Sequence, residues 1–243
     1  MDGSHMNKQS IVVVTPTYNE RDNLPMLVEK VFSLDINNLS MIVVDDNSPD
    51  GTGQLAEKLS QKYPIKIIHR PEKKGLGTAY IEAFRFIFNS HNPPDYIIQI
   101  DADLSHDPAV IPVMIKKMGG CDLVLGSRYI QGGGVENWNF IRRFISRFGN
   151  IYARIILGIH VYDLTGGFKC YRREILEKIN FDSLSSVGYN FQIETTYRAY
   201  RLGYKICEIP IIFKERKTGV SKFNFGIILE SFLKVLLLRF RGH

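Results

Sequence analysis

Residues 96–108 read YIIQIDADLSHDP, an apolar run that leads directly into two acids separated by one alanine. Short apolar runs bounded by polar turns are typical of strands buried in a parallel sheet. In an extended chain alternate side chains point to the same face, which predicts that Asp101 and Asp103 lie side by side. Their like charges repel each other unless a cation lies between them. The stretch therefore predicts a buried strand that carries a carboxylate pair at its end.

Similar apolar runs precede and follow this stretch and alternate with helical patterns. Strands are predicted at SIVVVTP, SMIVVDDNS, IKIIHR, DYIIQIDAD and CDLVLGSRY. This alternation predicts an α/β fold with a mostly parallel central sheet and helices on both faces. Ligands of such sheets bind beyond the carboxyl ends of the strands. TYNE, DDNSPDG, PEKKGLG and DADLSH all follow strand ends, which predicts one shared rim.

The second half of the chain is richer in helices. Helical patterns cover residues 138–157 and 188–204, and KICEIPIIFKER is predicted as one strand. We expect DLTGGFKCYRR to run beside the sheet. A final amphipathic helix is predicted over about residues 222–240, too short to span a bilayer. It is suited either to a membrane interface or to packing on the core, and both interpretations stay open.

Length and cysteine content set the expected domain organisation. Residues 1–6, MDGSHM, resemble the remnant of an expression tag, and residues 7–243 are sufficient for a single α/β domain. The three cysteines are odd in number, far apart and without C-x-x-C spacing. A disulfide framework and a zinc site are therefore not expected, which favours a reducing, cytosolic compartment.

Charge is distributed unevenly along the chain. Residues 1–127 carry a net charge of −4 and residues 128–243 one of +10. A basic half of this size favours an anionic partner, namely nucleic acid, an anionic membrane or a phosphorylated substrate. The charge by itself is explained equally well by a basic surface that contacts only solvent.

The acidic motifs favour a metal and a nucleotide. Two carboxylates at D-x-D spacing suit Mg²⁺ or Mn²⁺, which prefer oxygen ligands and accept substrate phosphates as well. Asp45 and Asp46 end the second predicted strand, where their oxygens could accept hydrogen bonds from a base or ribose. GLGTAY lacks the third glycine of the dinucleotide fingerprint and follows the third strand, which disfavours a hydride-transfer enzyme.

Nine motifs in order give a more specific signal. They are TPTYNERDNL, VVDDNSPDGTG, KKGLGTAY, DADLSH, GSRY, VENW with IRRFISR, DLTGGFKCYRRE, GYNFQIE and ERKTGVSKF. Together they resemble the family 2 glycosyltransferases of the glycosyltransferase-A fold, and within them the dolichyl-phosphate (polyprenyl-phosphate) mannose synthases. The resemblance covers essentially all of residues 10–238.

The resemblance implies an enzyme that moves mannose from GDP-mannose to a polyprenyl or dolichyl phosphate with inversion. It implies a donor site formed by Pro16, Tyr18, Glu20, Val44, Asp46, Asp101, Ala102 and Asp103. It implies a Mg²⁺ or Mn²⁺ site at Asp101 and Asp103, with Ser105 where some relatives have glutamine. It also implies that four cations, Arg128, Arg142, Arg216 and Lys222, surround the acceptor phosphate and the charge of the donor.

This chemistry agrees with the residue types. A polyprenyl phosphate is already an anion near neutral pH, so it needs little general-base help. It does need its charge neutralised, and the guanidinium fork matches phosphate oxygens. The resemblance also implies a catalytic domain in the cytosol, peripheral to a membrane, with a possible membrane partner subunit and no nucleic acid.

Two alternatives remain open from the sequence. One is a polyprenyl-phosphate glucosyltransferase that uses UDP-glucose, because the sequence separates donor bases poorly. The other is a non-catalytic nucleotide-sugar or RNA-binding module, since arginines alternate with aromatic residues in FIRRFISRFGNIYAR.

Structural roles explain several other residues. Trp138, the single tryptophan, is interpreted as a packing anchor, and His106 as part of a helix start capped by Asp107 or Ser105. Solvent exposure is the favoured explanation of three further arginines, Arg143, Arg147 and Arg154.

Overall fold

A computed structural model describes the backbone of residues 9–184, 189–215 and 225–240, without the side chains of 189 and 225–230. Its strands are β1 (Ile11–Thr17), β2 (Leu39–Asp45), β3 (Ile65–His69), β4 (Tyr96–Gln99), β5 (Leu123–Ser127), β6 (Gly134–Glu136), β7 (Lys169–Arg172), β8 (Ile206–Pro210) and β9 (Ile212–Lys214). Its helices are α1 (Leu24–Phe32), α2 (Thr52–Ser60), α3 (Leu76–Phe88), α4 (Ile111–Lys117), α5 (Phe140–Leu157), α6 (Arg173–Lys178), α7 (Tyr189–Arg201) and α8 (Phe225–Phe240).

Seven strands form the central sheet, in the order β3-β2-β1-β4-β7-β5-β8. All neighbouring pairs are parallel except those that involve β7. Side chains alternate between two hydrophobic clusters along each buried strand, as the period of an extended chain requires. In β1, Val12 and Val14 face the cluster built with α3, α5 and α7, while Ile11 and Val13 face α1 and α4. The predicted mostly parallel sheet with helices on both faces is confirmed.

The segment DLTGGFKCYRR was expected beside the sheet, and this expectation is wrong. Its residues Lys169–Arg172 form β7, which inserts between β4 and β5 and is antiparallel to both. Because β7 runs in the opposite direction, its first residues lie at the same edge as the carboxyl ends of the parallel strands. The loop before β7 thereby becomes part of the rim.

The strand that was predicted through Asp103 ends earlier, at Gln99. The chain then turns, and Leu104 has a φ of 59°. Asp101 and Asp103 therefore lie on a turn beyond β4, and the expectation that they are alternate residues of an extended strand is wrong. The amide of Ile100 still bonds to the carbonyl of Val14, so the strand carries the turn directly to the rim.

KICEIPIIFKER was predicted as one strand and forms two, β8 and β9, which separate at Ile211. β9 leaves the central sheet and pairs in parallel with β6. This second, two-stranded sheet also contacts the turn after β4, because the amide of Lys214 donates to the carbonyl of Ser105 at 3.0 Å.

Cys121 and Cys207 form a disulfide, which contradicts the expectation from cysteine spacing and removes the argument for a reducing compartment that rested on it. The two residues are 86 positions apart, but β5 and β8 are neighbours in the sheet and bring their Cα atoms to 6.1 Å. The spacing of the cysteines along the sequence does not indicate that they are close in the fold.

Within the described residues, no helix is long and apolar enough to cross a membrane. The predicted final helix is present as α8, whereas positions 222–224 lie outside the described part of the chain. The α8 helix packs beside α5, where the hydroxyl of Tyr152 donates to the carbonyl of Phe232 at 3.1 Å.

Candidate functional site

The centre of the rim is the turn that follows β4. Asp103 accepts a hydrogen bond from the amide of Ser105 at 3.0 Å, which closes the turn around the two acids. The Asp101 side chain is about one-third exposed, at 31%, and its Oδ2 lies 3.7 Å from Nε2 of His106. The hydroxyl of Ser105 is buried and makes no hydrogen bond within the described residues.

His106 directly precedes a helix start, as expected, and its ring is also packed against the acid pair. It is buried between two aromatic rings, with ring centroids 5.2 Å from Phe168 and 5.1 Å from Phe213. The cap is supplied by Asp107, whose carboxylate accepts from the amide of Ala109, as one of the two predicted capping residues. His106 itself packs behind the acid pair and faces Asp101.

The acid pair fits a divalent cation that a substrate helps to bind. Among the described residues there is no group of three or more His, Cys, Asp and Glu side chains arranged to hold a metal. Mg²⁺ and Mn²⁺ sites often use one or two carboxylates and take their remaining ligands from water and substrate phosphates. Asp101 and Asp103, with the unpartnered hydroxyl of Ser105 beside them, are suited to such a site.

Gln192 is a site residue that the sequence analysis missed. It lies near Asp101 across Gly167: a Cβ at position 167 would be 3.4 Å from Asp101 Oδ2 and 3.6 Å from Gln192 Nε2. The Gln192 side chain is 1% exposed and neither of its polar atoms is bonded within the described residues. The motif GYNFQIE contributed only to the family resemblance, and the position of Gln192 at the start of a helix gave no signal of its proximity to Asp101.

Buried contacts fix the position of the start of α7, which carries Gln192. Lys169 is fully buried and donates to the Gln192 carbonyl at 2.7 Å and to Thr196 Oγ1 at 2.9 Å. Burial lowers the pKa of Lys169 well below its usual value. Phe191 stacks on Tyr80 with a centroid distance of 5.9 Å, and a Cβ at position 77 would collide with its ring at 2.9 Å, so glycine is needed there.

One end of the rim, beyond β1, β2 and β3, carries a second acidic group. Arg70 donates from Nη1 to Asp46 Oδ1 at 2.6 Å and lies 3.1 Å from Glu82 Oε2. Burial raises the pKa of Asp46, and this effect outweighs the opposing charge of Arg70. Arg70 was also missed, although it is the last residue of the predicted strand IKIIHR, where the rim argument applied to it equally.

Asp45 and Asp46 have different hydrogen-bond partners. Asp45 accepts from the hydroxyls of Thr17 at 3.0 Å and Ser48 at 2.6 Å, so it fixes the loop. Asp46 is bonded to Arg70 instead.

The other predicted donor residues lie at the same end. Lys73 Nζ lies 3.5 Å from the ring centroid of Tyr18, which is 37% exposed. Pro16 is in β1, and the Glu20 carboxylate accepts from Asn23 at 2.7 Å. Two further predicted donor residues are buried, Val44 in the core and Ala102 in the turn after β4.

The opposite end of the rim carries the two predicted cations that lie within the described residues, Arg128 and Arg142. Arg128 follows β5 and is held by Asp163, which it contacts from Nε and Nη2 at 2.7 Å each and from its own amide at 2.9 Å. Arg142 donates to Glu215 and lies over the ring of Trp138, 4.1 Å from its centroid. Arg216 and Lys222 lie outside the described residues.

Solvent exposure was the expectation for Arg143, Arg147 and Arg154; the first two are exposed and Arg154 is half-buried. Arg143 donates to the carbonyl of Val135 at 3.1 Å, and Arg154 lies 4.7 Å from the ring centroid of Tyr162.

The comparisons with known proteins agree with this arrangement. Residues 12–180 match the model of the family described as glycosyl transferase family 2. The chain belongs to this family. It is 41% identical over 237 residues to the polyprenol monophosphomannose synthase of Mycolicibacterium smegmatis, which covers 96% of this chain and 88% of that one. It is 39% identical over 226 residues to the undecaprenyl-phosphate mannosyltransferase of Micrococcus luteus, with coverage of 93% and 92%.

Solved structures confirm the fold of this glycosyltransferase. The glucosyl-3-phosphoglycerate synthase of Mycobacterium tuberculosis, in complex with Mn²⁺, UDP-glucose and glycerol 3-phosphate, superposes with a TM-score of 0.71. The match covers 97% of this chain and 82% of that one at 19% identity, so it bears on the fold alone. The predicted glycosyltransferase-A fold is thereby confirmed.

Proposed function

We propose that this glycosyltransferase transfers mannose from GDP-mannose to a polyprenyl phosphate with inversion at the sugar carbon. Both curated relatives are named for mannose transfer to a polyprenyl phosphate, or for its product. The observation that carries the proposal is the order of groups along the rim. One end of the rim, at Asp46 and Arg70, would bind the nucleoside. The other end is cationic, at Arg128 and Arg142, and the acids that follow β4 lie between the two ends.

GDP-mannose would lie along the part of the rim that runs from Asp46 to the acids after β4. Tyr18, Glu20 and Asp46 would contact the base and ribose, and the diphosphate would lie at Asp101 and Asp103. A Mg²⁺ or Mn²⁺ ion bound there supplies a Lewis acid that stabilises the charge of the departing diphosphate.

The polyprenyl phosphate would approach from the cationic end of the rim. Its phosphate oxygen is the nucleophile, so the chain need only orient it and offset its charge against that of the donor. Arg128 and Arg142 lie where an anion would approach, and each charge-assisted hydrogen bond from a guanidinium contributes about 1.5–3 kcal/mol. We include Arg216 and Lys222 in this cationic set by resemblance alone.

The test is the release of GDP from GDP-mannose with Mg²⁺ or Mn²⁺, with and without a polyprenyl phosphate. We expect release, together with lipid-linked mannose, only when metal and lipid phosphate are both present. The matched reaction with UDP-glucose should be slower by at least about tenfold, a preference worth about 1.4 kcal/mol. Faster turnover of UDP-glucose would overturn the donor assignment, and tight RNA binding without sugar transfer would overturn the enzyme itself.

We also propose that the catalytic domain lies in the cytosol against a membrane surface, through the outer faces of α5 and α8. These faces expose large apolar side chains at Phe140, Ile141, Phe144, Ile155, Leu233, Leu237 and Phe240. Two exposed arginines of α5, Arg143 and Arg147, lie among them. Apolar side chains bordered by arginines fit an interface with anionic lipids.

Replacing Phe144 and Leu237 by serine is expected to weaken binding to phosphatidylglycerol vesicles by at least about tenfold. The two side chains are 63% and 49% exposed, so the folded protein loses little packing when they are changed. Each buried apolar side chain contributes about 1.5–3 kcal/mol to transfer from water. Vesicle sedimentation measures the effect.

The control is Val113→Ser, which removes an equally exposed apolar side chain, at 55%, from α4 on the opposite face of the sheet. Vesicle binding should be unchanged by this control. Equal binding by the Phe144 and Leu237 double variant would show that α5 and α8 do not face the membrane.

A further inference from the structure

Trp138 is the single tryptophan of the chain and lies between β6 and α5, at the cationic end of the rim. The centre of the Arg142 guanidinium is 4.1 Å from its ring centroid, and that of Arg128 is 5.5 Å away. One indole ring therefore contacts both arginines that the proposed function assigns to the acceptor.

The ring is itself fixed from the side of the acid pair. Phe213 of β9 packs edge-on against Trp138 at 5.4 Å and against His106 at 5.1 Å. His106 in turn faces Asp101. A continuous row of aromatic rings thus sets the position of the indole relative to the acids.

The indole N–H of Trp138 is buried and makes no hydrogen bond within the described residues, and the residue as a whole is 8% exposed. Indole nitrogen is a donor only, so its partner must be an acceptor atom. Buried indole N–H groups usually have such a partner. Beside two guanidinium groups, an anion with several acceptor oxygens is the ligand that fits.

The carboxylate partners of the two arginines differ in how easily they are replaced. Asp163 is fully buried and holds Arg128 through two parallel bonds, whereas Glu215 is 36% exposed where it contacts Arg142. An incoming phosphate can therefore displace Glu215 while Arg128 keeps its place. Stacking on Trp138 uses the face of the Arg142 guanidinium and leaves its in-plane N–H groups for phosphate oxygens.

We propose that Trp138 is a binding residue for the phosphate monoester of the acceptor, holding Arg142 over its ring and donating its indole N–H to a phosphate oxygen. The inference rests on the proposed function, since a polyprenyl phosphate is the acceptor there. The same oxygens occur in the donor diphosphate, so an experiment has to separate the two sources.

Because the chain has one tryptophan, its emission reports on this position without any label. The full chain is titrated with a short water-soluble prenyl phosphate in Mg²⁺, with GDP and with the matching prenyl alcohol in separate arms. We expect a saturable change with the prenyl phosphate and none with the alcohol. A change with GDP alone would overturn the assignment to the acceptor.

Two arginine variants give a matched comparison in the same titration. Arg142→Gln is expected to raise the half-saturation concentration roughly tenfold to a hundredfold, the range for one lost charge-assisted hydrogen bond. Arg154→Gln changes an arginine of the same helix that also stacks on an aromatic ring, that of Tyr162, and should leave the concentration unchanged. Equal effects of both variants would reveal a general charge effect and overturn the proposal.

Trp138→Phe keeps an aromatic ring but removes the N–H. It is expected to raise the KM of the acceptor at least about tenfold, with the KM of GDP-mannose and the melting temperature little changed. A lower melting temperature with an unchanged acceptor KM would make Trp138 a packing anchor only. Prenyl phosphate that alters the emission of a chain unable to transfer mannose would instead refute the proposed function and leave this inference standing.

Discussion

Replacing Asp101 by asparagine is expected to reduce mannosyl transfer by roughly two to four decades. Asparagine keeps the size of the side chain beside position 167 and His106 but removes the charge that would bind a divalent cation. The stabilisation of a leaving diphosphate by a metal amounts to several kcal/mol, and each step of about 1.36 kcal/mol in the barrier is tenfold in rate. Asp103→Asn should act similarly. Transfer of labelled mannose over a range of Mg²⁺ and Mn²⁺ concentrations measures the effect.

Asp107→Asn is the matched control for this prediction. Asp107 lies on the same loop and is exposed, and it accepts a hydrogen bond from the amide of Ala109 as a cap. Asparagine is nearly as good as aspartate in this position, so stability and transfer should both change little. Should Asp101→Asn retain more than about a tenth of the activity, corresponding to a loss below about 1.4 kcal/mol, the metal would have to be bound elsewhere.

The rim and its acids were predictable from the sequence because they depend on local pattern. Buried parallel strands are short and apolar, and functional loops follow their carboxyl ends, so the pattern alone locates DADLSH and DDNSPDG at the rim. The same rule covers Arg70, which ends IKIIHR and therefore reaches the rim beside Asp46.

Contacts between distant segments were not predictable in this way. The placement of β7 between β4 and β5 has no local signature, because a strand with buried neighbours has the same apolar pattern in either direction. It nevertheless brings position 167 to Asp101 and sets α7 so that Gln192 lies nearby. The disulfide between Cys121 and Cys207 was missed for the same reason.

Short-range geometry produced a different kind of error. Two acids with one residue between them share a face only while the chain stays extended. At Leu104 the backbone enters the left-handed region, and hydrogen bonding of Asp103 to the amide of Ser105 stabilises a turn instead. The acids were correctly assigned to the rim, but they lie on a turn and not on an extended strand.

Replacing Asp163 by asparagine is expected to lower the free energy of unfolding by about 3–5 kcal/mol near neutral pH. Asp163 is fully buried and is bonded by the amide, Nε and Nη2 of Arg128, which is itself buried. Asparagine leaves that guanidinium without a countercharge and turns one acceptor into a donor. Urea unfolding of both proteins measures the loss.

The pH dependence provides a second readout. Burial raises the pKa of Asp163, but the charge and hydrogen bonds of Arg128 outweigh it, so the pKa lies below its usual 3.8. A carboxyl whose pKa is lower in the folded state contributes its full stabilisation above the unfolded pKa and loses it as the pH falls through the folded value. The difference between wild type and Asp163→Asn should therefore be constant near neutrality and shrink below pH 3.8.

The control is Asp122→Asn, which changes a partly exposed pair with Arg172 at 3.3 Å. Such surface pairs contribute about 0–1 kcal/mol, and the amide oxygen of asparagine still accepts the bond from the amide of Lys205. If Asp163→Asn lowers the free energy of unfolding no more than Asp122→Asn does, Arg128 must form equivalent bonds with other groups. The cationic end of the rim would then not be preorganised, and acceptor binding would have to supply the order that we ascribe to Asp163.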